Sequence, residues 1–187
     1  IKQTSQPFYR NINLVLKRIQ DGSSKDIVKK IRAEKDKGNR NILKQKLPAI
    51  CFSGKFTKRN DKALKEHSGL ICLDFDGYNS SKDLLQEKEK LSKDKYVYAV
   101  FISPSGNGLK VLVKIPPITE NHKNYFLSLQ KHFDSDYFDK SCKNVSRVCY
   151  ESYDPLIHIN AQSSLWDSIQ EQEYNEVNKN TDIPTIP

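Results

Sequence analysis

Apolar residues recur along the chain with two periods, which predict helices and strands respectively. Spacings of three and four residues predict amphipathic helices in the first third of the chain, near its middle and again after residue 120. Runs rich in β-branched and aromatic residues predict strands between them. The predicted helices cover about residues 11–19, 24–36, a short stretch ending at 47, 62–67, 81–90 and 122–132, and the predicted strands cover 49–52, 70–76, 96–102, 109–115, 147–150 and 156–159.

The order of these elements predicts the fold class. Helices come first, and strands interspersed with helices follow, which is typical of an α+β domain with a mixed or antiparallel central sheet and flanking helices. A chain of 187 residues is long enough for one such domain with a substantial core. We therefore expect three parts: a basic helical region over residues 1–46, a core over 47–166, and a polar tail or linker over 167–187.

The formal net charge of +8 is unevenly distributed along the chain. Residues 1–66 hold 18 Lys and Arg against 6 Asp and Glu, whereas residues 67–187 hold 13 against 17. Lysine-rich helices are often only solvated faces, but a basic region that leads directly into an acidic strand is typical of a protein that handles a polyanion. The residues expected to contact nucleic acid are Lys29, Lys30, Arg32, Lys55, Lys58 and Arg59.

Several classes of protein fit the sequence poorly. No apolar run approaches the ~20 residues that span a bilayer, so we expect no membrane partner. The four cysteines form no C-x-x-C pair, and no histidine stands at zinc-finger spacing from them. We therefore expect a reduced, cytoplasmic protein without structural zinc.

The stretch LICLDFDG, residues 70–77, ends an apolar run with two carboxylates one residue apart. Successive side chains of a strand point to opposite faces, so Asp74 and Asp76 share a face while Phe75 points away. Two neighbouring carboxylates repel each other unless a cation lies between them, and Mg²⁺ is typically held by one or two carboxylates plus substrate phosphates. The alternative is a strand that ends in an ordinary Asp-Gly turn.

A loop rich in small residues connects the next two predicted strands. Small residues allow backbone N–H groups to converge on an anion, and serine hydroxyls and a lysine ammonium can complete a phosphate site. A plain hairpin is the alternative, since the P-loop pattern G-x-x-x-x-G-K-[ST] is absent. The candidate nucleotide contacts here are Ser103, Ser105, Gly106, Asn107, Gly108 and Lys110.

A later acidic segment, FDSDYFD over residues 133–139, offers a further carboxylate that could close a metal site, although acidic clusters are often helix caps. Arg147 follows it and could grip a phosphate with two parallel hydrogen bonds. A D-x-D strand, a small-residue loop with Ser and Lys, and a later acid together are the equipment of two-metal nucleotidyl transfer. The later acids that remain open as the third ligand are Asp139, Asp136 and Glu151.

These motifs, in this order, resemble the archaeo-eukaryotic primase superfamily of primase-polymerases: D-h-D on a strand, an S-x-G-x-G-x-[H/K] hairpin and a later acid after an apolar residue. More closely, the chain resembles the primase-like domain at the N-terminus of virulence-associated-E-type proteins of phages and mobile elements. The resemblance covers about residues 47–160 and is carried by LPAICFSGKF, HSGLICLDFDG, VFISPSGNGLKVLVKI and KNVSRVCYESYDP.

The resemblance implies a primase-polymerase (RRM-like) core that incorporates (d)NTPs in DNA replication. Asp74, Asp76 and Asp139 would hold Mg²⁺ or Mn²⁺, and Lys110 and Arg147 would contact the phosphates of the nucleotide. The implied partners are a single-stranded DNA template and a helicase domain or protein. Many members of the superfamily carry His where Lys110 stands, and a lysine can hold a triphosphate but cannot relay a proton near neutral pH without a large pKa shift.

Two other functions remain open. The pattern hhhDxDG is also the first motif of haloacid-dehalogenase-like phosphatases, with Asp74 as nucleophile and Asp76 as acid or base, although Tyr78 stands where that family has Thr or Val. The second alternative is a catalytically weak primase-like module that binds single-stranded nucleic acid for a partner helicase. Aromatic residues among basic ones favour such binding, and those in the basic first third are Phe8, Tyr9, Phe52 and Phe56.

Overall fold

A computed structural model describes residues 7–169, which form five α-helices, eight strands and two short 3₁₀ turns. Within this part of the chain no helix combines the length and the apolar content that a membrane crossing requires. Residues 170–187 of the predicted tail lie outside the described residues. The helices are α1 (Ile12–Asp21), α2 (Lys25–Ala33), α3 (Lys37–Lys44), α4 (Ser81–Ser92) and α5 (His122–Phe133), and the strands are β1 (Ala49–Ile50), β2 (Gly54–Phe56), β3 (Leu64–His67), β4 (Leu70–Asp76), β5 (Val97–Ile102), β6 (Gly108–Lys114), β7 (Cys149–Tyr150) and β8 (His158–Ile159).

The central sheet has four strands in the order β4-β6-β5-β8, and each neighbouring pair is antiparallel. Strands β4 and β6 pair along their whole length, from Leu70 opposite Lys114 to Asp76 opposite Gly108. Two smaller antiparallel sheets pair β1 with β7 and β2 with β3. The predicted α+β class with an antiparallel sheet and flanking helices is therefore confirmed.

The two faces of the central sheet bury different elements. One face packs against α4 and α5, and its fully buried side chains include Phe75, Leu109 and Phe126. The opposite face packs against α1 and the β1–β7 pair, and its core includes Leu16 and Phe101. The sheet thus separates two apolar cores, and alternate residues of β4 belong to one or the other.

The basic N-terminal region packs on the second of these cores. Asn11 caps α1 by accepting from a backbone N–H, and Gly22 ends the helix in the left-handed conformation. The apolar side of α1 buries Ile19 against the sheet. Helix α2 buries Ile31 in a third cluster against which Tyr150, of the short strand β7, also packs. This packing brings the basic helices to the end of the sheet where β4 terminates.

The prediction of a helix over residues 62–67 is wrong. A 3₁₀ turn, Asp61–Ala63, is followed there by strand β3, which pairs with β2 so that Gly54 lies opposite His67. A Cβ at Gly54 would collide with the backbone carbonyl of Glu66, so the glycine permits the close approach of the two strands. A helix of six residues is marginal by itself, and the cross-strand pairing outweighs its local helix propensity.

Candidate functional site

Asp74 and Asp76 lie at the end of β4, on the sheet face packed by α1. In the antiparallel register, Lys110 of β6 lies directly opposite Asp74, and Gly108 lies opposite Asp76. Phe75 belongs to the apolar core on the other face, as strand alternation predicts. The register therefore places the Lys110 side chain beside Asp74, whereas Asp76 has no side chain opposite it.

Asp74 is the centre of an ion-pair network. The residue is only 2% exposed, and its Oδ1 lies 2.5 Å from Lys110 Nζ while its Oδ2 lies 2.9 Å from Arg147 Nη2. Burial by itself would lower the pKa of Lys110, but the attraction of Asp74 outweighs burial and raises that pKa. Burial would likewise lower the pKa of Arg147, but its hydrogen bond to Asp74 and the charge of Asp74 raise that pKa overall. Both cations therefore stay charged around this one anion.

Asp76 stands at the more open end of the strand, where it is exposed. Partial desolvation, together with the charges of Asp74 and Asp139, raises the pKa of Asp76, and nearby lysines oppose that rise only in part. A Cβ on Gly108 would collide with the Asp76 carboxylate, so the glycine makes the space that the carboxylate occupies. The ionised form of Asp76 is thus disfavoured here, and a cation bound beside it would stabilise that form.

The loop between β5 and β6 is a tight hairpin that turns at a glycine. The Ser103 N–H donates to the Gly108 carbonyl over 2.8 Å, and the Gly106 N–H donates to the Ser103 carbonyl over 3.0 Å. Gly106 has a φ of +79°, in the left-handed region that favours glycine. The Ser103 hydroxyl is buried and has no hydrogen-bond partner among residues 7–169. A buried hydroxyl in this condition is available to a ligand.

Backbone pairing brings Asp139 to the D-x-D strand. The Asp139 N–H donates to the Asp74 carbonyl, and the Asp76 N–H donates to the Tyr137 carbonyl, both over 2.8 Å. Phe138, between these two bonds, forms a bridge with the central residue of the motif. The predicted third carboxylate therefore extends from a segment added to the free edge of β4.

Cys142 contacts the carboxylates of both Asp74 and Asp139. It is not among the site residues predicted from the sequence. Its Sγ donates to Asp139 Oδ2 over 2.8 Å and lies 3.4 Å from Asp74 Oδ2. Burial would raise the pKa of Asp139, but hydrogen bonds from Cys142 and Ser141, with the charge of Arg147, lower it. Burial and the two carboxylates raise the pKa of the Cys142 thiol. Ligand atoms of Asp74, Asp139 and Cys142 all lie within 4.8 Å of one another, so this trio could hold a metal ion.

A cavity of about 360 Å³ opens beside the D-x-D pair, a volume typical of small-molecule sites. Four cationic side chains line this cavity, and two of them, Lys44 and Arg59, are outside the predicted nucleotide contacts, although Arg59 is among the residues predicted to contact nucleic acid. Desolvation and the charge of Lys110 lower the pKa of Lys44. The predicted metal and nucleotide residues that line the cavity are Asp74, Asp76, Ser103, Ser105, Lys110 and Arg147, and the other lining residues are Asn41, Lys44, Arg59, Pro104, Val148 and Tyr150.

The alternative third acids lie elsewhere. Glu151 is buried, and its carboxylate accepts from Arg18 Nε over 2.6 Å and from the Ser24 hydroxyl over 2.5 Å. It therefore ties α1 and the start of α2 to the chain after β7. Asp136 is exposed, and neither acid belongs to the group of ligand atoms around Asp74. Asn107 is exposed in its loop, whereas Gly106 and Gly108 act through their backbones.

A second cavity, of about 460 Å³, adjoins the first, and Arg59 lines both. Phe8 is 87% exposed beside it and Tyr9 is half exposed, with the Tyr9 hydroxyl donating to the Phe56 carbonyl. Phe52 and Phe56 are buried and form part of its wall. We call this cavity the N-terminal groove, and it is lined mainly by residues 7–10, Ile12, Val15, 49–52, Lys55, Phe56, Lys58 and Arg59.

The residues predicted to contact nucleic acid occupy three places. Lys29 and Lys30 are exposed on α2. Arg32 donates from its guanidinium to the Ser103 carbonyl over 3.2 Å and to the Tyr153 carbonyl over 2.8 Å, so it also braces the β5–β6 loop. The remaining three, Lys55, Lys58 and Arg59, line the N-terminal groove, where Lys55 pairs with Glu66.

Residues 42–158 match the family described as BT4734-like, N-terminal domain. The match covers more than half of the 187-residue chain, and the chain belongs to this family. It includes strands β4, β5 and β6 of the central sheet and the first residue of β8, together with the segments that carry the D-x-D pair, the glycine loop and Asp139. No curated protein and no solved structure matches the chain.

Proposed function

We propose that this member of the BT4734-like N-terminal domain family is a metal-dependent nucleotidyltransferase of the primase-polymerase type. It would incorporate (d)NTPs on a single-stranded DNA template by attack of a 3′-hydroxyl on the α-phosphate, in the replication of a phage or mobile element and with a helicase as partner. The observation that carries the proposal is the cavity beside the D-x-D pair, which we call the catalytic cavity. Its lining includes Asp74, Asp76, Lys110 and Arg147 beside a glycine-turned loop.

The charges of the cavity suit a polyphosphate. Lys44, Arg59, Lys110 and Arg147 face a space that has two carboxylates in its wall, so the lining carries an excess of cations. Arginine binds phosphate oxygens with a planar fork and lysine binds them as a point charge. The unpartnered Ser103 hydroxyl adds a neutral donor at the same cavity. These groups would bind and orient the triphosphate of the incoming nucleotide.

The donor set also suits a divalent cation. Asp74 and Asp139 offer carboxylate oxygens close together, and Asp76 adds one beside the cavity. A bound cation would supply stabilisation of negative charge on the attacking and leaving oxygens. Lys110 and Arg147 would then be released from Asp74 and could hold phosphate oxygens instead.

The N-terminal groove is the surface where the single-stranded DNA would bind. It combines exposed aromatic rings at Phe8 and Tyr9 with the cations Lys58 and Arg59, and such a surface binds single strands by stacking and backbone attraction. Since Arg59 lines the groove and the catalytic cavity, a strand lying in the groove would run towards the bound nucleotide.

One observation favours the catalytically weak binding module as a second candidate. Both oxygens of Asp74 are already paired, one with Lys110 and one with Arg147, so the network is satisfied without an ion. The raised pKa of Lys110 also keeps that side chain from relaying a proton near neutral pH. The phosphatase alternative has less support, because a nucleophilic Asp74 would have to attack while buried between two cations.

Primer extension and de novo priming on single-stranded DNA test the proposal. Wild-type protein should incorporate nucleotides with Mg²⁺ or Mn²⁺ but not with a chelator, and Asp74→Asn should abolish incorporation. Asp136→Asn is the matched control, because this exposed carboxylate lies in the same region but outside the ligand group, and it should leave the rate unchanged.

The outcomes separate the candidates. DNA and nucleotide binding without incorporation under any of these conditions would favour the binding module. Release of phosphate from a phosphomonoester, with a phosphorylated Asp74 trapped in the protein, would favour the phosphatase. Incorporation that persists undiminished in Asp74→Asn would exclude the proposed site.

A further inference from the structure

Cys142 holds an unusual position for a buried thiol. It is 1% exposed and sits between two carboxylates, with its Sγ 2.8 Å from Asp139 Oδ2 and 3.4 Å from Asp74 Oδ2. The other oxygen of Asp139 accepts from the Ser141 hydroxyl and backbone N–H. The Oδ2 atom of Asp139 is therefore left facing Cys142 and Asp74, so two oxygens and one sulfur converge on one point.

A cationic group already lies at this point. Arg147 Nη2 lies 2.9 Å from Asp74 Oδ2 and 3.6 Å from Asp139 Oδ2, and so contacts the same two oxygens that face Cys142. The Nε of Arg147 is buried and has no hydrogen-bond partner within the described residues, although arginine usually satisfies its donors when buried. The position thus attracts positive charge, while the guanidinium that occupies it is incompletely bonded.

The donor types decide which ion would suit the position. Mg²⁺ takes oxygen ligands and keeps several waters, whereas thiolate, imidazole and carboxylate together are the donors of Zn²⁺ and other borderline-soft ions. We propose that Asp74, Asp139 and Cys142 form a mixed carboxylate–thiolate site that takes a divalent ion of the Zn²⁺ and Co²⁺ class in preference to Mg²⁺. The Cys142 proton is released to solvent as the Sγ–metal bond forms, and Arg147 is displaced towards the catalytic cavity.

This inference deepens the proposed function, because the site shares Asp74 and Asp139 with the expected Mg²⁺ or Mn²⁺ ligands. It changes the expected ligand set, since Cys142 takes the place beside these two acids that the sequence assigned to Asp76. Asp76 is left to the catalytic cavity, where an all-oxygen environment with substrate phosphates suits a harder ion.

Titration of the full chain with Co²⁺ tests the site, because a cobalt–thiolate bond gives a charge-transfer absorption band in the near ultraviolet that carboxylates do not give. Wild-type protein should develop the band with one equivalent of Co²⁺, Zn²⁺ should abolish it, and a large excess of Mg²⁺ should not. Cys142→Ser should lose the band and bind Zn²⁺ at least about tenfold more weakly. Cys51→Ser is the matched control, because Cys51 is partly buried elsewhere, and it should keep the band.

Two further variants keep the test decisive if Cys142→Ser fails to fold. Asp139→Asn should weaken Zn²⁺ binding, and Cys142→Asp should bind a divalent ion without the band and with Mg²⁺ now competing. A wild-type chain without the band, or a band that persists in Cys142→Ser, would overturn the inference. Mg²⁺-dependent primer extension without the band would refute this site alone, whereas the band without any incorporation would refute the proposed function and leave the site standing.

Discussion

Consecutive residues of β4 face opposite environments at the same end of one sheet. Phe75 is fully buried and packs edge-on against Phe133 and Phe138 under α5. Asp74 is as deeply buried on the other face, but its neighbours are Lys110 and Arg147. At this end of the sheet, the face of Phe75 is covered by aromatic side chains, whereas the face of Asp74 borders a cavity lined by charged side chains.

The two faces of β4 make different contributions to the stability of the fold. Burial of aromatic surface is favourable by itself, since each large side chain removed from water contributes about 1.5–3 kcal/mol. Buried charges are costly unless they are paired, and even a paired set is often no more stable than apolar residues of similar size. The aromatic face therefore holds β4 in place, whereas the proposed function depends on the charged face.

The largest expected effect is on the aromatic face. Phe75→Ala would remove a fully buried ring and leave a cavity among Phe133, Phe138 and Phe126. We expect the free energy of unfolding in urea to fall by about 3–5 kcal/mol. Activity per folded molecule should stay near the wild-type value below the unfolding transition. A loss of activity without a loss of stability would contradict a purely structural role for Phe75.

The charged face should show the reverse pattern. Asp76→Asn should lower the rate of primer extension by more than about 100-fold, because it removes a ligand oxygen at the cavity. Since the folded protein raises the pKa of Asp76, its ionised form is disfavoured on folding, and the neutral amide should leave the free energy of unfolding unchanged or slightly higher. Chemical denaturation beside the rate assay measures both, and a variant that is less stable but fully active would contradict this prediction.

Two buried histidines, His67 at the end of β3 and His122 at the first position of α5, are also kept neutral, because burial lowers the pKa of each. His67 Nε2 and His122 Nδ1 lie 3.0 Å apart, and the Gly69 N–H donates to His67 Nδ1, so His67 donates its single proton to His122. Burial, with His67 nearby, lowers the pKa of His122 from 6.5 to about 4. The unfolded chain then binds more protons than the folded one between these values, so stability should fall as the pH drops from 6.5 towards 4.

His122→Asn tests that contribution, because the amide oxygen can still accept from His67 but does not titrate. We expect the wild type to lose about 3 kcal/mol more stability than the variant between pH 7 and pH 4. Thermal unfolding across this range measures the difference. Parallel curves for the two proteins would mean that the pair is charged or exposed in solution.

The smallest expected effect concerns the N-terminal groove. Phe8→Ala should weaken binding of single-stranded DNA by about fivefold, at the lower end of the loss of one stacked base, and should leave stability unchanged because the ring is exposed. Leu156→Ala is the matched control, since this side chain is equally exposed away from the groove. Fluorescence anisotropy at several salt concentrations measures both, and affinity that does not change with salt would exclude phosphate contacts in the groove.

The sequence predicts those parts of the site whose geometry depends only on residues close together in the chain. Alternation along β4 separates Asp74 from Phe75, and the short β5–β6 connection brings the glycine loop and Lys110 to one end of the sheet. Both inferences depend on residues close together in the chain. The antiparallel register that sets Lys110 opposite Asp74 is known only from the structure, because β4 and β6 are not consecutive strands.

The parts that the sequence does not predict depend on distant segments. Cys142 meets Asp74 across 68 positions, and nothing in its spacing marks it as a ligand. Lys44 lies on a basic helix whose position at the cavity is set by packing of the third cluster. Strand β3 forms by pairing with β2, and the sequence does not predict it because β2 is only three residues long and carries no strand pattern of its own.

Nucleotide binding shows directly whether the charged face of β4 binds a triphosphate together with a metal ion. Isothermal titration calorimetry with a non-hydrolysable dNTP analogue would compare wild type, Asp74→Asn and Asp136→Asn, each with Mn²⁺ and with a chelator. We predict tight binding by wild type and Asp136→Asn only when the ion is present, and binding at least about tenfold weaker by Asp74→Asn. Equal affinity with and without the ion, or unchanged binding by a folded Asp74→Asn protein, would contradict the claim.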